Sequence, residues 1–125
     1  MTIKQERAAH LIRNIMSTLL MNEVTDPALS SVTVTEVKVD REIEYAEIFV
    51  HSLEDKKEVM DGLARAAGFL RRELAARTRF RKTPYLQFHW DVAMEQGERI
   101  DNLLDALKRE PQPVADEESE DDDEA

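Results

Sequence analysis

Seven basic side chains lie between residues 65 and 82, and one acidic residue, Glu73, interrupts them. They are Arg65, Arg71, Arg72, Arg77, Arg79, Arg81 and Lys82. A guanidinium can donate two parallel hydrogen bonds to a phosphate, so a charge of +6 within 18 residues favours binding to a nucleic-acid backbone. Arg65, Arg72 and Arg79 are seven residues apart, and on a straight helix this spacing predicts one line of charge. The bases predicted to assist from the first helical segment are Lys4, Arg7 and Arg13.

Two other interpretations of this basic run remain open. The run can be a solvated helix face paired with acidic residues of the 40s and 50s, or a protein-docking module whose basic face binds an acidic protein partner. The aromatic residues inside the run are Phe69 and Phe80, which we expect to pack in the core. We therefore favour contacts with the backbone and shape of folded RNA over the stacking of single-stranded bases.

The residue types needed for catalysis are sparse. His10, His51 and His89 fall on three different predicted elements, and zinc binding would need at least two of them to converge. We expect the last two to lie at the solvent edge of strands. Ser52 lacks a nucleophile motif, Asp91 is an isolated carboxylate, and no phosphate-binding glycine motif exists among three glycines. The expectation is a protein without enzymatic activity, metal or cofactor, and a metal-dependent nuclease is the remaining enzymatic alternative.

The net charge of -10, taken alone, argues against binding to nucleic acid, but the acidic residues are unevenly distributed along the chain. Nine of the 27 acidic residues lie in residues 110–125, which contain no Lys or Arg. Subtracting them leaves 18 acids against 17 bases, so residues 1–109 are nearly neutral. We expect residues 110–125 to be a disordered tail that is either solubilising or able to compete with RNA for the basic run. The RNA affinity of a chain lacking residues 111–125 would distinguish the two roles.

The elements that must position these residues follow from hydrophobic periodicity. Helical spacing predicts helices over residues 3–23, 54–79 and 98–109, and β-branched or alternating segments predict strands over 31–39, 44–51 and 83–92. The short turn between the strands over 31–39 and 44–51 predicts an antiparallel hairpin. The apolar residues of the first strand change from one face to the other near Thr35 and Glu36, which predicts a β-bulge there. The fold class is α+β, with a three-stranded sheet covered by helices on one face. We expect one domain over residues 1–109, without disulfides, signal peptide or membrane span.

Several motifs occur in an order that resembles the bacterial ribosome-binding factor A family. They are Glu23-Val24-Thr25-Asp26-Pro27-Ala28-Leu29, Val32-Thr33-Val34-Thr35-Glu36-Val37, Tyr45-Ala46-Glu47-Ile48-Phe49-Val50, Ala66-Ala67-Gly68-Phe69-Leu70-Arg71, Arg81-Lys82-Thr83-Pro84-Tyr85-Leu86-Gln87-Phe88 and Gly97-Glu98-Arg99-Ile100. The resemblance covers about residues 5 to 107. It implies a type II KH-like domain of αββααβ order, with a short C-terminal helix. In this family a kink, matched here by Ala66 and Gly68, joins two central helices in place of the usual Gly-x-x-Gly loop.

The resemblance also implies a function. The family binds the immature small (30S) ribosomal subunit and assists late maturation, including processing of the 5′ end of 16S rRNA and adaptation to cold. For this chain, the resemblance implies a cytoplasmic, non-enzymatic monomer that works with other assembly factors. Because the Gly-x-x-Gly loop is absent, we do not extend the four-nucleotide recognition of ordinary KH domains to this chain.

Overall fold

The first helix begins at a reciprocal cap. In the computed structural model, which describes residues 1–94, helix α1 spans Ile3–Asn22. The Thr2 hydroxyl accepts a hydrogen bond from the Gln5 backbone N–H, and the Gln5 side chain accepts one from the Thr2 N–H. The Gln5 amide also donates to the Val39 carbonyl at 3.1 Å, which ties the start of α1 to the end of the first strand. The predicted first helix is confirmed.

Three strands form one sheet in the order β1-β2-β3. β1 spans Thr33–Val39 and pairs antiparallel with β2, Tyr45–His51, while β3, Tyr85–Trp90, pairs parallel with β2. The predicted hairpin is therefore confirmed, and the register shift between Val34 and Glu36 confirms the predicted bulge. The parallel pairing of β2 with β3 requires a crossover connection, which a helix supplies.

That helix, α2, spans Lys56–Arg77 without interruption. One central helix therefore stands where two were predicted, and the kink at Ala66 and Gly68 stays a prediction. A glycine costs about 1 kcal/mol in a helix interior, and the buried leucines on both sides of Gly68 hold the helix together across it. These are Leu63, Leu70 and Leu74.

Of the two glycines within residues 1–94, Gly62 is the one with a packing role. A Cβ at this position would lie 3.1 Å from Leu29 Cδ2 and 3.3 Å from Ala28 Cβ. A Cβ on exposed Gly68 would approach only the flexible end of Arg72, at 3.3 Å. Close packing therefore favours glycine at residue 62, where α2 meets the 3-10 turn Pro27–Leu29.

Both helices cover the same face of the sheet, and the core lies between the helices and that face. Ile12 and Met16 of α1, Leu70 of α2, and Ile48 and Val50 of β2 are completely buried there. The α+β class and the helix-covered sheet are confirmed. Met1–Val92 forms one compact unit, and no helix within residues 1–94 is long and apolar enough to cross a membrane. The predicted helix over 98–109 and the predicted tail over 110–125 lie outside the described residues.

Candidate nucleic-acid interface

Five basic side chains from three parts of the chain line one groove of about 600 Å³. We call this the basic groove, and its bases are Lys4, Arg41, Arg79, Arg81 and Lys82. Two carboxylates, those of Glu42 and Glu44, also line it. Five positive charges against two negative ones leave an excess of three. The groove therefore has the electrostatic character of a site for a polyanion.

Local structure explains why these cations converge. Helix α2 ends at Arg77, and the extended backbone of Thr78 leads into the segment 79–82. Phe80 packs partly buried against the core, while its neighbours Arg79 and Arg81 are exposed. One partly buried aromatic residue thus anchors a short segment that presents its cations to solvent.

The turn between β1 and β2 forms another wall of the groove. Asp40 Oδ1 accepts hydrogen bonds from the backbone N–H groups of Glu44, at 2.7 Å, and Tyr45, at 2.9 Å. These bonds, above all that from Tyr45, lower the pKa of the Asp40 carboxyl group below its ordinary value. Ile43 occupies the left-handed region at φ 56°, with its side chain buried. The turn is thus held in one conformation, with Arg41 exposed.

Two of the predicted phosphate ligands instead bind carboxylates of the protein. Arg65 donates two hydrogen bonds to Asp26 Oδ2, at 2.8 and 3.1 Å, and this contact lowers the pKa of Asp26. Arg77 donates to Glu23 and Glu73, and the Glu23 contact is the main cause of its raised pKa. The predicted line of Arg65, Arg72 and Arg79 is also interrupted, because α2 ends before Arg79.

Arg71 is engaged with backbone rather than with carboxylates. Its Nη2 donates to the Thr83 carbonyl at 2.7 Å, and its Nε donates to the Pro84 carbonyl at 3.1 Å. Its guanidinium carbon also lies 4.3 Å from the centre of the Tyr85 ring. Arg71 therefore joins α2 to the start of β3. The adjacent Arg72 is exposed, and lines a smaller pocket with Arg71 and Thr83.

The remaining predicted bases differ in their relation to the groove. Lys4 lines it, and Arg7 lies beside Lys4 in an adjoining apolar pocket. Arg13 is exposed on α1 and lines neither pocket. Arg41 is a groove residue that the sequence analysis missed. It stands alone between Asp40 and Glu42, so local charge density gave no signal, and only its position in a tight turn could have suggested exposure.

The residues considered for catalysis make contacts within the folded protein. His51 is buried, with its ring centre 5.0 Å from that of Trp90, so the expectation that it lies at a solvent edge is wrong. His89 packs beside Phe49, with ring centres 5.1 Å apart. Asp91 accepts a hydrogen bond from Thr35. Within residues 1–94, no group of three His, Asp or Glu side chains is arranged to hold a metal ion.

Ser52 is also buried in a hydrogen-bonded position. Its Oγ lies 2.7 Å from Ser31 Oγ and accepts a bond from the Glu54 N–H. These contacts join the two ends of the β1–β2 hairpin region to the start of the connection that leads to α2. The geometry is that of a turn-stabilising hydroxyl.

Comparison with known proteins identifies the family of the chain. The family model described as ribosome-binding factor A matches residues 4–104. The chain belongs to the ribosome-binding factor A family. A ribosome-binding factor A from Synechocystis sp. is 43% identical over 122 residues, which cover 94% of this chain and 90% of that protein. One from Azoarcus sp. is 38% identical over 110 residues, covering 86% and 87% respectively.

Solved structures support the same fold. The crystal structure of ribosome-binding factor A from Thermus thermophilus aligns with a TM-score of 0.65 at 22% identity, covering 69% of this chain and 93% of that one. A model of the Thermus thermophilus protein fitted into a cryo-EM map of its complex with the 30S subunit aligns with a TM-score of 0.59 at 24% identity, covering 67% and 91%. At these identities the likeness shows the fold alone.

Proposed function

We propose that this chain is a ribosome-binding factor that binds the immature small ribosomal subunit through the phosphates of 16S rRNA. The observation that carries the proposal is the basic groove, where cations from α1, the β1–β2 turn and the segment after α2 meet. Within the described residues, Arg41, Arg79 and Arg81 have no ion pair, so their charges are available to a ligand. The family, and the complex with the 30S subunit recorded for the Thermus thermophilus relative, support this choice of polyanion.

In the proposed mechanism the groove binds phosphates and stabilises an immature arrangement of the rRNA. The sequence contains no glycine-rich nucleotide-binding motif that could drive release, so a later factor would displace the chain. Assistance in processing the 5′ end of 16S rRNA, and growth in the cold, would follow from this transient binding. We propose that the chain acts as a monomer in the cytoplasm, without enzymatic activity, alongside other assembly factors. The KH-like domain would extend over residues 1–109, with residues 110–125 as a separate acidic tail.

Co-sedimentation with purified small subunits over increasing salt tests this proposal. Each phosphate neutralised lowers log K by about 0.9 per tenfold rise in salt on a duplex. One phosphate on each of Arg41, Arg79 and Arg81 therefore predicts a slope of about -2.7. The variant Arg79→Glu/Arg81→Glu should lose at least about tenfold in affinity. Lys56→Glu/Lys57→Glu reverses two exposed charges at the opposite end of α2, and is the charge-matched control.

Deproteinised 16S rRNA separates the two kinds of partner. Salt-dependent binding to this RNA, lost in Arg79→Glu/Arg81→Glu and kept in Lys56→Glu/Lys57→Glu, supports the proposal. Binding to subunits but not to the RNA would instead favour the module that docks on an acidic protein. Full affinity in the doubly reversed variant would show that the basic groove is not the site.

A further inference from the structure

The face of the sheet opposite the helices carries aromatic side chains. On β2, Ala46, Ile48 and Val50 are buried under the helices, so the alternate residues lie on the other face. Tyr45 on β2 and Tyr85 on β3 are register partners there. Their exposed fractions are 46% and 45%, which is high for large aromatic residues in a sheet.

These two tyrosines form a pair that the fold holds in place. Their ring centres are 5.8 Å apart, with the ring planes inclined at 37°. The guanidinium of Arg71, fixed by its bonds to the Thr83 and Pro84 carbonyls, lies over the Tyr85 ring. A ring held in this way loses little further freedom when a ligand binds.

The pair is continuous with the basic groove. Lys82 lines the groove, and its Nζ lies 5.4 Å from the centre of the Tyr85 ring. Tyr45 directly follows Glu44, which also lines the groove, and the Asp40 carboxylate binds the backbone N–H groups of both residues. A nucleic-acid backbone in the groove would therefore bring its neighbouring bases within reach of the tyrosines.

We propose that Tyr45 and Tyr85 form a stacking platform for an unpaired base of an RNA whose phosphates occupy the basic groove. This inference rests on the proposed function, which it deepens by naming the form of RNA. Stacking on aromatic rings suits any base, since every base has a π face, whereas the basic groove alone would not separate paired from unpaired strands. Glu47 is the next residue on this face of β2, and its carboxylate would repel a phosphate. The platform therefore accommodates one or two bases and ends at Glu47.

The test uses two RNA hairpins with the same stem, one blunt and one with a three-nucleotide 3′ overhang that contains 2-aminopurine. The chain should bind the overhang hairpin about tenfold more tightly, as expected for the stacking of about one base, and should quench the 2-aminopurine fluorescence. Tyr45→Leu/Tyr85→Leu should lose this preference and the quenching while binding the blunt hairpin within about twofold of the original chain. Tyr45→Phe/Tyr85→Phe retains both rings and should behave as the original chain.

The two tyrosines also form a cross-strand pair, so the thermal unfolding of each variant is followed by circular dichroism. If the double leucine variant fails to fold, Tyr45→Leu alone replaces it. The quenching of 2-aminopurine fluorescence is measured with the unaltered chain, so that result does not depend on any variant. Equal, unquenched binding of both hairpins would overturn the platform and leave the proposed function standing. A platform variant that keeps the overhang preference, or that loses subunit binding but no RNA binding, would also overturn it. Failure to bind either hairpin at low salt would overturn both proposals.

Discussion

Three of the four arginines of α2 differ from the cations that follow the helix in what their charges contact. Arg65, Arg71 and Arg77 each bind protein acceptors, two of them carboxylates and one a pair of backbone carbonyls. Arg79 and Arg81, a few residues later, are exposed and without ion pairs in the described part of the chain. The same residue type therefore stabilises the fold in one region and remains available to a ligand in the other. The number of arginines in a run overestimates the charge that a partner can use.

The largest expected effect concerns stability. Arg71→Ala should lower the free energy of unfolding by about 2 to 3 kcal/mol, because two backbone carbonyls lose a charged donor and Tyr85 loses a cation–π contact. Arg71→Lys should recover only part of this loss, because an ammonium group lacks the planar arrangement of donors that a guanidinium presents to two carbonyls. Urea unfolding measures the change. Arg72→Ala is the matched control on the adjacent exposed residue, and should stay within about 0.5 kcal/mol of the original chain.

A smaller effect should separate two arginines of the same helix by their affinity for RNA. Arg72→Gln should weaken binding about threefold to tenfold at low salt and reduce the slope of log K against log salt by about 0.9. Arg65→Gln should change affinity less than about twofold, because Asp26 already neutralises that charge. Filter binding to 16S rRNA over a salt series compares them. Equal losses in the two variants would break the distinction between engaged and available arginines.

The smallest effect is a gain of affinity. Asp26→Asn keeps the Oδ1 atom that accepts the Ala28 N–H but removes the charge that holds Arg65, so RNA should bind about twofold more tightly at low salt. No gain in this binding assay would indicate that Arg65 faces away from the RNA.

The same substitution changes the pH dependence of stability. The Arg65 contact lowers the pKa of Asp26 below its ordinary value, so the unfolded chain binds the proton more readily and stability decreases as the pH falls through the range between the two pKa values. The stabilisation by the contact between Asp26 and Arg65 is present above about pH 4 and is lost as the pH falls through the lowered pKa of Asp26. Asp26→Asn should therefore show a shallower decline in unfolding free energy below about pH 4, measured by denaturant titration at successive pH values.

The local elements were predictable because their signals are local. The apolar spacing of Ile12 and Leu19 predicted α1, and the change of parity between Val34 and Val37 predicted the bulge in β1. The continuity of α2 through Gly68 was missed, since the packing of leucines on both sides outweighs the cost of one glycine. The order of strands depends on where the crossover helix packs, and no residue pattern specified it.

The candidate site was predictable only in part. The sequence predicted Arg79, Arg81 and Lys82 as part of one basic surface, and in the structure they line the groove beside the partly buried Phe80. Arg41 was missed, because it enters the groove through a turn far away in sequence. The pairing of Tyr45 with Tyr85 was missed for the same reason, since the two belong to strands joined by a long crossover.

By itself, the sequence determined the family motifs, the type of each main element and the presence of a strongly basic segment in a nearly neutral body. The tertiary structure decided which of those charges remain available. Asp26 and Arg65 are 39 residues apart and Glu23 and Arg77 are 54 apart, so these pairs exist only because the chain after α1 packs beside α2. An ion pair depends on distance in space, and the folded backbone sets that distance.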